Sequence, residues 1–106
     1  MAFSIKQNDT SPSILATLKD ANDVPVNLTA ANVRFHMKSI DGSLKIDSAM
    51  TVINAPEGLV RYDWVAADTD TFGTYYVEFE VTYTDGSIET FPNTGSLVVS
   101  VVKELN

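Results

Sequence analysis

Apolar and polar residues alternate along most of the chain, and Gly, Pro, Asn or Asp interrupts the alternation at short intervals. A period of two sends successive side chains to opposite faces of an extended backbone, so the pattern predicts short antiparallel strands with one face in a core. Strands are predicted over residues 3–7 and 13–19, the second with Ile14, Ala16 and Leu18 on one face. The turn cluster Asp20-Ala21-Asn22-Asp23 leads to a short extended piece over 24–28, whose Pro25 suits a sheet edge. Over 32–40, Val33, Phe35 and Met37 face inward while Arg34, His36 and Lys38 face solvent. Asp41-Gly42 is a hairpin signal returning the chain as 43–47. Further strands are predicted over 50–54, 59–65, 74–84, 87–91 and 96–103. That over 74–84 is the longest and should be central, with Tyr75, Val77, Phe79, Val81 and Tyr83 inward and Tyr76, Glu78 and Glu80 outward.

Strands this short, separated by turns about every 8 to 12 residues, imply a two-sheet structure. No segment carries a long helical period. The expectation is an all-β fold, an immunoglobulin-like antiparallel β-sandwich of about 8 strands, formed by residues 1–106 as a single domain with short flexible termini. Gly73-Thr74-Tyr75-Tyr76-Val77 reads like the entry to an immunoglobulin strand F, with Val77 in the cysteine's place and Tyr75 as a tyrosine corner. Trp64 departs from that pattern by preceding the corner. Phe35, Tyr62, Trp64, Tyr75 and Phe79 are the expected structural residues, with Val77, Val81 and Val99 beside them in the core.

Charge narrows the partners. Seven Lys and Arg stand against fourteen Asp and Glu, a net charge of −7. A chain of that sign repels phosphate backbones and anionic lipid surfaces, so neither nucleic acid nor membrane is an expected partner. There is no cysteine, which removes thiolate metal sites and cysteine nucleophiles. The first residues lack both a basic region and an apolar run, so no export signal is expected.

Candidate chemistry is sparse. His36 is the single histidine and lies on an outward face without an evident catalytic set. Asp68-Thr69-Asp70-Thr71-Phe72-Gly73 imitates the start of a calcium loop, but Phe72 stands at the fifth position and Phe79 where a bidentate glutamate belongs. Glu78 and Glu80 share a strand face at roughly 6.5 to 7 Å, a spacing any exposed Glu-x-Glu strand produces. Tyr76 and Phe91 are the aromatic residues that could stack on a sugar. The expectation is therefore no catalytic, cofactor-binding or metal-binding residues, no cofactor, and no enzyme.

Several segments taken in order carry a likeness: Ile5-Lys6-Gln7-Asn8-Asp9-Thr10-Ser11-Pro12-Ser13, Ala16-Thr17-Leu18-Lys19-Asp20, Val33-Arg34-Phe35-His36-Met37, Val60-Arg61-Tyr62-Asp63-Trp64, and Gly73-Thr74-Tyr75 through Phe79-Glu80-Val81. Together they resemble the N-terminal domain of the tailed-bacteriophage baseplate upper protein (BppU-like) family and similar small phage virion proteins. The resemblance implies a non-enzymatic virion structural protein, attached to the baseplate, tail or fibre assembly through protein–protein contacts. Its partners would be other virion proteins in multiple symmetric copies, and its location the virion, assembled in the host bacterial cytoplasm. Family members continue into further domains, so a chain ending at Asn106 also raises a capsid or neck decoration role. A carbohydrate-binding module and a bacterial surface adhesion domain are the readings from other classes.

Overall fold

A computed structural model describes residues 2–93, 95 and 97–105. Met1, Thr94, Ser96 and Asn106 lie outside the described residues, and with them the expected start of the last strand at Ser96. Among the described residues nine strands form, in the order β1 (Ala2–Lys6), β2 (Ile14–Thr17), β3 (Asn32–Ser39), β4 (Leu44–Ala49), β5 (Thr51–Asn54), β6 (Leu59–Tyr62), β7 (Gly73–Thr82), β8 (Ile88–Phe91) and β9 (Leu97–Val102). One turn of 3-10 helix, Ala66–Thr69, lies between β6 and β7.

Two sheets result. The larger has the order β1-β9-β7-β3-β4, with β8 also paired to β7, and the smaller has the order β2-β6-β5. They face each other as a sandwich, so the fold is all-β, with each sheet burying its alternate residues against the other. The long strand β7 is central. It lies antiparallel to β3 from Asn32↔Thr82 to Ser39↔Tyr75. On its other side β8 pairs with Phe79–Thr82 and β9 with Gly73–Val77, so these two consecutive strands occupy one line beside β7, interrupted opposite Glu78.

Three expectations are corrected. The sandwich is not wholly antiparallel, because β1 runs parallel to β9, from Ala2↔Val98 to Lys6↔Val102. Residues 24–28 form no strand and contribute one isolated bridge, Lys19↔Pro25. Proline has no N–H to donate to a ladder, and Asn27 turns its side chain onto the Thr29 N–H instead. The strand predicted over 59–65 stops at Tyr62, because the Val65 N–H is taken by the Asp68 carboxylate as the helical turn begins.

The core is aromatic at its centre. Phe35 of β3, fully buried, stacks on Tyr62 of β6 at 4.0 Å between ring centroids and 3° between planes. Trp64 meets both rings edge-on, at 5.7 and 5.3 Å, and reaches Phe3 of β1 at 6.0 Å. Phe79 tilts against Phe35 at 6.0 Å. Val77, Val81 and Val99 are fully buried around this cluster. Met50, between β4 and β5, carries the chain from one sheet to the other while its N–H bonds the Val33 carbonyl at 2.9 Å.

Gly58 closes the loop before β6 in a left-handed conformation, φ +66°, where an added Cβ would lie 2.7 Å from the Leu18 carbonyl oxygen. Gly42 at the β3–β4 turn has φ +90° with open space around it. Gly58→Ala is therefore expected to destabilise the domain more than Gly42→Ala, since only the first adds a backbone collision to the left-handed strain of roughly 1 kcal/mol. Urea midpoints of the two variants measure the difference. Phe35→Ala empties the centre of the cluster and is expected to cost about 3 to 5 kcal/mol, read from the same unfolding curves.

Candidate functional site

The outward residues of the larger sheet bring charged side chains of three adjacent strands together. Ladder register aligns Asp47 of β4, His36 of β3 and Glu78 of β7 in one row, and Ala49, Arg34 and Glu80 in the next. Asp47 is the hub. Its Oδ1 accepts from Arg34 Nε at 2.8 Å and lies 3.0 Å from His36 Nε2, while the Arg34 Nη2 donates to the Asp47 carbonyl at 2.9 Å. The Arg34 hydrogen bond, more than the neighbouring positive charge, holds the Asp47 carboxyl below the usual carboxylate range. The sequence shows the alternation of Arg34, His36 and Lys38, but not the pairing to Asp47, which depends on strand register.

Where the β8–β9 line is interrupted, an open depression of about 230 Å³ is lined by His36, Lys38, Tyr76, Glu78 and Gly95. Its walls are one aromatic ring, two basic groups and one carboxylate on a flat sheet face. Such a surface suits the side chains of a docking protein better than the chemistry of catalysis, which needs convergent, enclosed titratable groups. Of the two aromatics considered for sugar stacking, Tyr76 is 40% exposed, whereas Phe91 is buried opposite Phe79. Phe91 therefore cannot stack on a sugar, because strand pairing turns its ring into the core. A second hollow lies near the β4–β5 crossing, lined by Ala31, Val33, Ala49, Met50 and Val52 with Asn32, Arg34 and Thr82.

The remaining singled-out residues are interior. Phe35, Tyr62, Trp64, Tyr75 and Phe79 are each at most 4% exposed. The Tyr75 hydroxyl donates to the Thr71 carbonyl at 2.7 Å, the contact a tyrosine corner makes to backbone a few residues upstream. In the calcium-like segment the two carboxylates serve separate partners. Asp68 Oδ2 accepts from the Tyr62 hydroxyl at 2.5 Å and the Val65 N–H at 3.0 Å, and Asp70 Oδ1 accepts from Lys45 Nζ at 2.6 Å. Among the described residues no three His, Asp or Glu side chains come together as a metal would require. The buried Tyr62–Asp68 pair is invisible in the sequence, where Asp68 reads as part of a loop motif.

Against known proteins, the BppU N-terminal domain family matches residues 2–105. The chain belongs to this family of phage baseplates. No curated protein matches it. Among solved structures, the crystal structure of CopC from Methylosinus trichosporium OB3b is similar, with a TM-score of 0.56 at 16% identity over 98% of this chain and 86% of that one. At that identity the likeness concerns the fold alone. Of the residues of this BppU N-terminal domain that carried the resemblance, Ile5, Ala16, Val33, Phe35, Met37, Val60, Tyr62, Trp64, Tyr75, Phe79 and Val81 are buried in its core, so they specify a fold more sharply than a task.

The polar interior makes a pH prediction. Burial, then the hydrogen bond to Asp68, raises the Tyr62 hydroxyl above its ordinary value of 10.0. Burial, then Glu89, pushes Tyr83 up to about 12. A group whose pKa is higher folded than unfolded contributes stability that is complete below the unfolded value and lost as pH rises through the folded one. Stability is therefore expected to fall above pH 10, progressively toward pH 12. The Tyr62→Phe and Tyr83→Phe variants should each show a shallower alkaline loss in denaturant midpoints measured across that window.

Proposed function

We propose that the domain is a non-enzymatic structural module of a phage virion that attaches to the baseplate, tail or fibre assembly through protein–protein contacts. The observation that carries this reading is the family match across residues 2–105, essentially the whole described chain. The geometry agrees with it. Phe35, Tyr62, Trp64, Tyr75, Phe79 and Phe91 are committed to the core, and Tyr76 and the polar groups of the larger sheet lie on an open face. Function in such a domain resides on its surface and strand edges.

In this role the other virion proteins are the partners, and the particle repeats each contact by its symmetry. Weak individual contacts then suffice, because neighbouring copies raise the effective concentration of one another. The rigid core keeps the docking faces in fixed relation, which limits the entropy lost on assembly. Mass spectrometry of purified particles is expected to recover the chain in a fixed ratio to baseplate or tail proteins, with its density visible in a particle reconstruction. Its consistent absence from particles, with the protein confined to the soluble lysate, would overturn the reading.

A further inference from the structure

The sandwich leaves strand edges exposed, and they are unequally protected. On β4 the register against β3 shifts between Met37 and Lys38, and on β5 the register against β6 shifts between Val52 and Asn54, so both edges carry the irregularities that discourage pairing. Strand β8 has four residues and runs into Pro92, and β2 has four, with its continuation at Leu18 and Lys19 already engaged by Val26 and Pro25. Strand β1 is different. Its five residues keep unbroken register with β9, without proline or bulge, and nothing among the described residues pairs with its outer side.

Hydrogen-bond parity identifies which groups are free. The Gln7 N–H donates to the Val102 carbonyl at 2.7 Å, so the odd-numbered residues of this segment turn their backbone groups toward β9. The even residues Ala2, Ser4 and Lys6 turn theirs outward. The Lys6 carbonyl is taken by the Asp9 N–H at 3.0 Å. This leaves the Ser4 N–H and carbonyl at the middle of the strand, flanked by the Ala2 carbonyl and the Lys6 N–H.

That arrangement is its own complement. We propose that β1 pairs antiparallel with β1 of a second copy of this chain, across a two-fold axis at Ser4. The two Ser4 residues exchange N–H to carbonyl bonds, and each Lys6 N–H donates to the Ala2 carbonyl of the other copy, joining the two larger sheets edge to edge. Side chains and charge support the same partner. Phe3, half-buried against Trp64, falls opposite Ile5 of the second copy, an apolar pair on the core side. Neither β1 nor β9 contains an acidic residue, so in a chain of net charge −7 these two strands set no carboxylate of their own against the second copy. Each Lys6 lies opposite Ala2, which keeps the two ammonium groups roughly 13 Å apart along the pair.

The absence of native cysteine makes the test direct. In the pairing above, the two Ser4 Cα atoms lie about 5.5 Å apart, within the span a disulfide bridges. The control position, Thr74, is exposed on the same sheet but sits on β7, behind β9 and β1. Under one oxidising glutathione buffer, Ser4→Cys is expected to form covalent dimer at least about tenfold faster than Thr74→Cys, as proximity requires. In sedimentation equilibrium near millimolar protein, the unmodified chain should rise above its 11.6 kDa monomer mass. Ser4→Pro, which deletes an outward N–H while sparing the ladder to β9, should not. Equal oxidation rates, or a mass for the unmodified chain no higher than that of a folded Ser4→Pro, overturns the pairing and leaves the edge to a strand from a different protein. Either result is independent of whether the chain is recovered from particles.

Discussion

The stack of Phe35 on Tyr62 is the contact through which the two sheets hold each other. Each ring arises from a different sheet, and they meet at 4.0 Å with nearly parallel planes. Aromatic pairs of this kind add roughly 0.5 to 1.5 kcal/mol beyond the area they bury. The consequences extend along the chain. Tyr62 has its hydroxyl fixed by Asp68, and Asp68 also receives the Val65 N–H that begins the helical turn. Thr69 of that turn is fully buried and donates to the Asp9 carbonyl at 2.8 Å, which ties down the loop after β1. A single interior contact thus sets the path of the segment connecting β6 to β7 and of the loop beyond the N-terminal strand.

Much of this was legible because period-two alternation reports directly on burial. Val33, Phe35 and Met37, and likewise Tyr75, Val77, Phe79 and Val81, read as inward from the sequence and lie inward in the sandwich. Register was not legible, since it depends on which strands become neighbours. Arg34, His36 and Asp47 are separated by up to thirteen positions and meet only because β4 returns beside β3. The parallel pairing of β1 with β9 joins the two ends of the described chain, where local pattern carries no information about direction. Phe91 shows a different limit: on a four-residue strand the alternation is too short to fix which face is buried.

The acidity of the chain is partly architectural. Asp20 accepts from the Asn22 and Val24 N–H groups, Asp41 from Ser43, and Asp85 from Ser87. In each case a short carboxylate stands in for a backbone partner in a turn, the reason Asp is common there. Hydrogen bonds from Ser87 likewise hold Asp85 below the ordinary carboxylate range. Part of the formal charge of −7 therefore sits in tight turns between strands, where it also serves the backbone.

Strands β1 and β9 lie side by side in the same direction, Ala2 level with Val98 and Lys6 level with Val102. A tension applied to the chain at Ala2 and at Val102 consequently pulls from opposite ends of this pair, sliding one strand along the other. All of its interstrand bonds then bear the load together, whereas strands drawn apart from a common end would lose their bonds in succession. Resistance to force is a kinetic property, set by the height of the unfolding barrier and not by equilibrium stability alone. The direction of a single strand pairing thus gives this small domain the geometry of a mechanical clamp.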